Sequence, residues 1–252
     1  MPTLSIASAK GGCGKTTVAI LLAAELALSH DYRVALLDSD VNQHASAFGK
    51  KSRGRSGHQP DADDNTTIKT GIAGLTIVSD IREDNLLAEV RKAENTNDFV
   101  IIDLPGGSTT LAFKAMQRSH FVLVPTQASL PDVRDAIKTI SQIDDAQDLG
   151  KWNVARAIVW TRLLPGFESR GSKRVRTDLE GQGVDILKSA LLERAAFREI
   201  HITGQVPRQE PSAASATHNI ETVTNELLDR LEAVATSAQK ARKKGLNDAT
   251  KA

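Results

Sequence analysis

The residues best suited to chemistry lie near the start of the chain, in the stretch Ser-Ala-Lys-Gly-Gly-Cys-Gly-Lys-Thr-Thr at positions 8–17. A short apolar run precedes this stretch and an apolar-periodic segment follows it, so the sequence predicts a strand, a glycine-rich turn and a helix start. Backbone N–H groups of such a turn, with the positive end of the helix behind them, form a phosphate cradle. In this pattern Lys15 would reach the terminal phosphates and the Thr16 hydroxyl would ligate Mg²⁺.

Two further groups of carboxylates follow apolar runs that are typical of buried parallel strands. The run Arg33–Asp38 is followed by Ser39 and Asp40, and the run Phe99–Ile102 leads into Asp103. Strands joined by a helix form right-handed βαβ units, and open α/β sheets bind ligands at the carboxyl ends of their strands. The sequence therefore predicts that these carboxylates lie beside the glycine-rich turn, where Asp103 would act on Mg²⁺ through a water molecule.

The order of apolar runs and helical periodicities predicts an α/β fold: a doubly wound, mostly parallel sheet flanked by helices, as a single domain. Further strands are predicted at 75–78, 120–125, 154–160 and 184–187, and helices at 17–29, 85–93, 132–144, 172–179 and 219–235. The domain is predicted to span residues 1–235, with a mobile basic and acidic surface loop at about 50–67. Residues 236–252 are predicted to form a basic, flexible tail.

Composition narrows the range of functions. The 252 residues are 40% hydrophobic, which is enough for a packed core, but only 4% aromatic, which disfavours base-stacking platforms for single-stranded nucleic acid. Cys13 is the single cysteine, so one chain cannot form a disulfide or a Cys-x-x-Cys metal site. Neither a membrane-spanning apolar run nor a signal-peptide pattern is present, and a cytoplasmic protein with no membrane association is expected.

The glycine-rich stretch departs from the ordinary P-loop, because Ala9 stands where the first glycine is expected and a second lysine, Lys10, follows it. The order Lys-Gly-Gly-x-Gly-Lys-Thr resembles the deviant Walker motif of the ParA/MinD family of dimeric ATPases. The resemblance implies that the predicted α/β domain is a P-loop NTPase of the SIMIBI-like type. The resemblance implies an ATP-bound homodimer in which Lys10 reaches the nucleotide of the partner subunit. It implies ATP and Mg²⁺ as cofactors, with the nucleotide-contacting residues Lys10, Gly11, Gly12, Cys13, Gly14, Lys15, Thr16 and Thr17.

The segment Asp38-Ser39-Asp40 resembles the Asp-x-Asp motif of that family. In the family, the second aspartate is implicated in hydrolysis by positioning the attacking water. The resemblance therefore adds Asp40 to Lys10 and Lys15 as a catalytic candidate. The role of Asp38 stays open between a structural one, in which it caps the loop, and a metal-binding one.

Two more motifs extend the resemblance over most of the chain. Asp103-Leu-Pro-Gly resembles the Walker B block, so Thr16, Asp40 and Asp103 are the implied metal-site residues. Thr161 and Arg162 resemble the Thr-Arg pair of the purine-side loop, which implies that both contact the nucleotide. The segments 188–194 and 204–206 look like those of the small, plasmid-type ParA proteins.

Two departures point to a particular branch of the family. The family commonly has Pro-Gln after the second aspartate, whereas this chain has Val41 and Asn42. Together with Gly106 and Gly107 after the Walker B proline, this pattern looks closer to the VirC-type proteins, which act at the transfer origin of conjugated DNA. The cargo therefore differs between the two branches, while the implied ATPase chemistry is the same.

The resemblance implies a weak, Mg²⁺-dependent ATP hydrolase that is stimulated by a ParB-like or relaxosome-type partner. Its ATP-bound dimer would bind DNA non-specifically on the nucleoid, for plasmid or DNA partition or for intracellular positioning. Binding to phosphate backbones requires clusters of cations and no base-reading motif. Two such clusters are candidates, the first comprising Arg170, Lys173, Arg174 and Arg176 and the second Lys240, Arg242, Lys243 and Lys244.

Two alternatives use the same glycine-rich turn. A MinD-like, membrane-associated positioning ATPase would need an amphipathic C-terminal helix with large apolar residues on one face, and the segment 237–245 has basic residues but no such face. A metabolic or metal-cluster enzyme would need paired cysteines at a dimer interface or a separate substrate nucleophile. Cys13 alone cannot supply the former, and no candidate for the latter is apparent.

Overall fold

Runs of β-branched residues and leucine form the centre of the molecule, because strands that are buried on both faces of a parallel sheet need apolar side chains at successive positions. The computed structural model describes residues 1–55, 66–107, 109–150, 152–166, 169–181 and 183–249. Within these residues the strands are β1 (Thr3–Ile6), β2 (Val34–Asp38), β3 (Thr67–Lys69), β4 (Leu75–Val78), β5 (Phe99–Asp103), β6 (Phe121–Gln127), β7 (Ala155–Leu163) and β8 (Leu191–Leu192).

Helices occupy most of the connections between these strands. In the described part of the chain they are α1 (Lys15–His30), α2 (His44–Arg55), α3 (Leu86–Thr96), α4 (Thr110–Arg118), α5 (Leu130–Gly150), α6 (Arg170–Gly181), α7 (Ala195–Thr203) and α8 (Ala214–Ala249). Two short 3₁₀ turns, Pro207–Gln209 and Pro211–Ala213, lead into α8. None of the described helices is long and apolar enough to cross a membrane.

The strands form one sheet in the order β3-β4-β2-β5-β1-β6-β7-β8, and β3 alone is antiparallel to its neighbour among the strands described. The sheet confirms the predicted doubly wound, mostly parallel α/β fold. Its register places the end of β1, at Ile6, opposite Asp103, and it places Asp38 opposite Asp103 as well. The ends of three neighbouring strands therefore converge where the glycine-rich turn leaves β1.

The core lies in two layers, one on each face of the sheet. Apolar side chains of α1, α2, α7 and α8 pack against one face, and those of α3, α4, α5 and α6 pack against the other. Helix α1 is buried on most of its surface, with Ile20, Leu22 and Ala23 fully inaccessible to solvent. A helix that is apolar nearly all round requires cover on several sides. In this fold β1, α8 and α7 supply that cover.

The prediction of a surface loop at 50–67 is wrong for residues 50–55. Residues 44–55 form helix α2, whose Ala45, Phe48 and Ser52 are buried, and Thr67 begins strand β3. The inward face of this helix presents small residues such as Gly49, where an added Cβ would lie 2.9 Å from Ile77 Cδ1. Such a helix packs closely on the sheet with few large apolar residues. The remainder of the predicted loop, at 56–65, lies outside the described residues.

Two other predicted elements also differ from the structure. The strand predicted at 184–187 reduces to one isolated bridge between Ile158 and Ile186, and the edge strand forms instead at Leu191–Leu192. The tail predicted to be flexible from residue 236 is helical, because α8 continues as far as Ala249. Residues of the tail such as Ala, Gln, Lys and Arg are strong helix formers, so local propensity favours the continuation of the helix.

Candidate nucleotide-binding site

The glycine-rich turn has the backbone conformation that a phosphate cradle requires. Gly12 has φ 84° and Gly14 has φ 93°, a left-handed region that side chains with a Cβ rarely adopt. Gly14 is the N-cap residue of α1, so the first N–H groups of that helix face the turn. Gly106 lies against the back of the turn, where an added Cβ would be 3.1 Å from Gly11 N.

A cavity of about 510 Å³ opens above this turn. This volume falls within the range of about 300–1,000 Å³ that is typical of small-molecule sites. The glycine-rich turn and the start of α1 line one end, the loop after β2 and strand β7 line the sides, and β8 and α7 line the other end. The lining residues are Gly11, Gly12, Cys13, Gly14, Lys15, Thr16, Thr17, Val18, Leu21, Asp40, Asn42, His44, Thr161, Arg162, Leu191, Leu192, Glu193, Arg194, Phe197, Arg198 and His201.

The two lysines of the turn point to different places. Lys15 lines the cavity, is only 6% exposed and donates to the Lys10 carbonyl at 3.2 Å. The Lys10 side chain is 50% exposed and does not line the cavity, and its Nζ lies 3.2 Å from Asp132 Oδ1 at the start of α5. The structure therefore brings Lys15 to its own cradle and leaves Lys10 at the rim.

Asp103 lies at the tip of β5 beneath the cavity. Its side chain is fully buried, and neither carboxylate oxygen has a hydrogen-bond partner. Burial raises the pKa of Asp103 to about 7, an effect that the Asp38 and Asp40 charges reinforce. The nearby Thr16 hydroxyl, although outside hydrogen-bonding geometry, and the Lys15 ammonium lower the pKa in part. A buried carboxylate without a partner fits the outer shell of a Mg²⁺ ion.

The two aspartates after β2 have different surroundings. Asp38 is fully buried, and its Oδ2 accepts hydrogen bonds from the Ser46 backbone N–H at 2.8 Å and the Ser46 hydroxyl at 2.7 Å. Burial raises the pKa of Asp38 above its ordinary value, although both bonds from Ser46 oppose this. Asp38 thus anchors the start of α2, which favours the structural role for this residue. Asp40 instead lines the cavity.

Asn42 holds the Asp40 carboxylate in place. The Asn42 backbone N–H and the Asn42 side-chain amide both donate to Asp40 Oδ1, at 2.8 Å and 3.0 Å. This Asx-type arrangement fixes the direction of the carboxylate within a loop that otherwise has little side-chain packing.

Strand β7 contributes the predicted purine-side residues. Thr161 is buried, and its hydroxyl donates to the Cys13 carbonyl at 3.2 Å, which ties β7 to the glycine-rich turn. Arg162 is exposed at the cavity edge and has φ 56°, an uncommon conformation for a residue with a side chain. Both residues therefore line the cavity beside the glycine-rich turn.

Sequence reasoning missed the far wall of the cavity. This wall comes from β8 and α7, and His201 on α7 hydrogen-bonds the Thr17 hydroxyl at 2.9 Å. Burial lowers the pKa of His201, and the neighbouring His44 and Lys51 side chains lower it further. The segment 188–194 carries the resemblance to the small ParA proteins, and this was the one signal that could have placed the wall.

The first predicted DNA-binding cluster lies apart from the cavity. It is on helix α6, which packs its Val175 and Leu179 on the opposite face of the sheet from α7. Arg170, Lys173 and Arg174 are exposed there. In the second cluster Lys240 is exposed, and the side chains of Arg242, Lys243 and Lys244 lie outside the described residues.

The fold and the cavity together define a P-loop nucleotide-binding protein. The family model of the CobQ/CobB/MinD/ParA nucleotide binding domain matches residues 4–223. The chain belongs to this family.

Two relatives and two solved structures illustrate the likeness. Protein ParA of Rhizobium radiobacter is 24% identical over 235 residues, which cover 92% of this chain and 98% of the relative. Protein virC1 of Rhizobium rhizogenes is 26% identical over 234 residues, covering 90% of this chain and 95% of the relative. Apo McdA of Cyanothece superposes with a TM-score of 0.69 at 19% identity, covering 88% and 98% of the two chains. MinD of Pyrococcus horikoshii in complex with Mg-ADP superposes with a TM-score of 0.66 at 19% identity, and the match covers 90% of this chain and 95% of that one.

Proposed function

We propose that the protein is an ATP-dependent dimer switch that binds DNA when it holds ATP. The observation that carries this proposal is the separation of the two lysines in the glycine-rich turn. Lys15 is buried in its own cradle, whereas the half-exposed Lys10 faces away from the cavity. A lysine in that position can serve the nucleotide of a second copy. Two such lysines facing each other would repel unless an anion lay between them.

Exposed apolar residues support a dimer face at the same edge of the sheet. Val41 follows β2 and is 91% exposed, Leu130 follows β6 and is 62% exposed, and Leu164 follows β7 and is 59% exposed. All three lie at the carboxyl ends of strands, around the rim that carries Lys10. Exposed apolar residues grouped around a functional site are typical of a surface that is covered in another state.

The residues of the cavity fit ATP and Mg²⁺. In this proposal Lys15 and the N–H groups of Gly11–Thr17 bind the phosphates, and Asp40 orients the attacking water. Thr16 and Asp103, with Asp40, hold the metal ion, which would neutralise phosphate charge during transfer. Thr161 and Arg162 contact the purine side. Phosphoryl transfer depends on positioning and charge more than on covalent chemistry, so these residues suffice for a weak hydrolase.

The output of the switch is non-specific DNA binding, by α6 and by the basic end of α8. In this proposal the protein works on the nucleoid with a ParB-like partner that stimulates hydrolysis, to partition or position a cargo. A VirC-type role at conjugated DNA, with a relaxosome-type partner, is the second candidate. The specific observation in its favour is that Asn42, which stands where the family commonly has glutamine, donates two hydrogen bonds to Asp40 and so orients its carboxylate.

The decisive experiment compares Lys10→Ala with the wild type and with Lys138→Ala, a control at an exposed lysine on α5. The mass in solution is measured by light scattering, and nucleotide affinity by calorimetry, each with ATP and with ADP. We expect the wild type and the control to dimerise with ATP only. Lys10→Ala should bind ATP with nearly unchanged affinity and remain monomeric. A Lys10→Ala protein that still forms the ATP dimer would refute the proposal.

A further inference from the structure

Strand β8 belongs to the far wall of the cavity, and helix α8 holds this strand and the preceding residues 185–190 from outside. The wall contains only a two-residue strand, β8, whose pairing with β7 shifts register between Thr161 and Leu163. Backbone groups along such an irregular edge need other partners. In this fold polar side chains of α8 supply them.

Asn219 makes the most direct connection. Its side-chain oxygen accepts from the Leu192 N–H at 2.9 Å, and its amide nitrogen donates to the Ala190 carbonyl at 2.8 Å. One side chain thus pairs with both backbone groups on the outer edge of β8, as a neighbouring strand would. Leu192 itself lines the cavity.

Glu226, two turns further along α8, holds the preceding residues. Its carboxylate accepts from the Lys188 N–H at 2.8 Å, from the Ser189 N–H at 2.7 Å and from the Ser189 hydroxyl at 2.6 Å. These bonds and the nearby Arg230 cation lower the pKa of Glu226 although partial burial opposes them, so the side chain stays charged. Charge-assisted bonds of this kind are about twice as strong as neutral ones.

We propose that Asn219 and Glu226 are positioning residues for nucleotide binding, because they fix the wall that the base and ribose contact. This inference rests on the proposed binding of ATP in the cavity. With the phosphates at the glycine-rich end, the rest of a nucleotide extends towards the opposite lining, which includes Leu191, Leu192 and Phe197. Neither Asn219 nor Glu226 lines the cavity, so each acts through the backbone of 188–192.

The test separates the two ends of the ligand. ATP and inorganic triphosphate are titrated into the protein in parallel calorimetric experiments, both in the presence of Mg²⁺. Triphosphate can occupy only the phosphate cradle. The variant is Asn219→Ala, and the matched control is Asn225→Ala, an exposed asparagine on the same helix. Since Asn219→Ala leaves two backbone groups unpaired, we expect about a tenfold loss of ATP affinity. Triphosphate affinity should change by less than about twofold, and the control should match the wild type in both titrations.

Equal losses for ATP and triphosphate would indicate general destabilisation and would overturn the positioning role, as would an unchanged ATP affinity. Glu226→Gln, which keeps the shape and removes the charge, gives an independent measurement if Asn219→Ala does not fold. This variant should lower the affinity for ATP by about threefold and leave the affinity for triphosphate unchanged, because a neutral acceptor replaces a charged one. A wild-type protein that binds ATP no better than triphosphate would contradict the proposed function itself, and this outcome is distinct from a failure of the α8 variants.

Discussion

At the scale of single residues, the buried carboxylate of Asp103 lowers the stability of the ligand-free protein at neutral pH. Its carboxylate is fully buried and has no hydrogen-bond partner. Burial raises the pKa of Asp103 to about 7. Because the pKa is near 3.9 in an unfolded chain, the folded protein binds a proton more tightly than the unfolded chain between these values. The stability from this group is therefore complete below about pH 4 and is lost as the pH rises through 7.

The variant Asp103→Asn tests this cost, because an amide cannot ionise. In ligand-free protein with a chelator present, we expect Asp103→Asn to raise the free energy of unfolding at pH 8 by about 2–4 kcal/mol. At pH 4 the variant and the wild type should differ little. Urea unfolding at both pH values measures the difference. The affinity for ATP in the presence of Mg²⁺ should also fall in the variant. If the variant is less stable than the wild type at pH 8, the prediction is contradicted.

Asp40 should affect turnover and leave ground-state binding almost unchanged. Its carboxylate lines the cavity and is oriented by Asn42 through two hydrogen bonds. We expect Asp40→Ala to slow ATP hydrolysis by on the order of 100-fold, because the water loses the group that positions it. ATP affinity, measured separately by calorimetry, should stay within about threefold. Normal phosphate release by Asp40→Ala would exclude a role for Asp40 in the chemical step.

At this scale the sequence predicts the phosphate end of the cavity well and the far end poorly. Gly12, Gly14 and Lys15 lie within four consecutive residues, and one turn dictates their conformations and spacing. The far wall depends on α7, and the contact between Thr17 and His201 joins residues 184 positions apart. Helix α7 has only a helical periodicity, which is common to core helices that bind nothing. No local pattern could therefore assign its side chains to the cavity.

At the scale of elements, the cavity depends on how α7 meets α2. Gly204 caps the C-terminus of α7 with φ 72°, and an added Cβ would lie 2.7 Å from Ser52 N and 2.8 Å from Lys51 Cβ. Lys51 in turn donates from Nζ to the His201 carbonyl at 2.6 Å. The close approach of the two helices thus fixes the end of α7 that carries His201.

Gly204→Ala and Gly183→Ala form a matched pair for this contact. Gly183 has φ 75°, close to the value at Gly204, but an added Cβ at Gly183 would meet nothing within 4 Å. Gly183→Ala should cost about 1 kcal/mol of stability for backbone strain alone. Gly204→Ala should cost about 1–3 kcal/mol more, because α7 must shift away from α2. Equal costs in denaturant unfolding would show that the α7–α2 approach is not tight in solution.

The elements that differ from their sequence-based predictions share a physical cause. Helix α2 covers its inward face with Gly49 and Ser52, and the polar residues around them are typical of a loop. The segment 184–187 pairs with β7 only around Ile158, and the Ile186 carbonyl accepts instead from Arg230 of α8 at 3.4 Å. Strong apolar runs predict the six inner strands of the sheet, which are β1, β2, β4, β5, β6 and β7. Elements that depend on tertiary partners, such as α2 and β8, are missed or misplaced.

At the scale of the whole molecule, a net charge of +1 conceals an uneven distribution. Helix α6 buries one residue, Leu179, among those described, and exposes Arg170, Lys173 and Arg174. The Arg174 side chain is 85% exposed, and its Nε lies 4.0 Å from Asp178 Oδ2. Surface pairs of this kind contribute little to stability, so the pair with Asp178 does not account for the exposed Arg174. A DNA-binding role is consistent with that arrangement.

Reversing two of these cations tests whether α6 is part of the DNA surface. The variant Lys173→Glu with Arg174→Glu is compared with Arg91→Glu and Lys92→Glu, which change the net charge equally at exposed positions of α3. If α6 contacts phosphates, the first variant should weaken ATP-dependent DNA binding by at least about tenfold, and the slope of log affinity against log salt should fall by roughly 2.

The α3 control reports the general effect of net charge and should retain nearly the wild-type slope. Because both variants leave the nucleotide cavity intact, ATP-dependent dimerisation should persist in each. Similar losses in the two variants would mean that DNA responds to the overall charge of the molecule, and α6 would then have no specific part in binding.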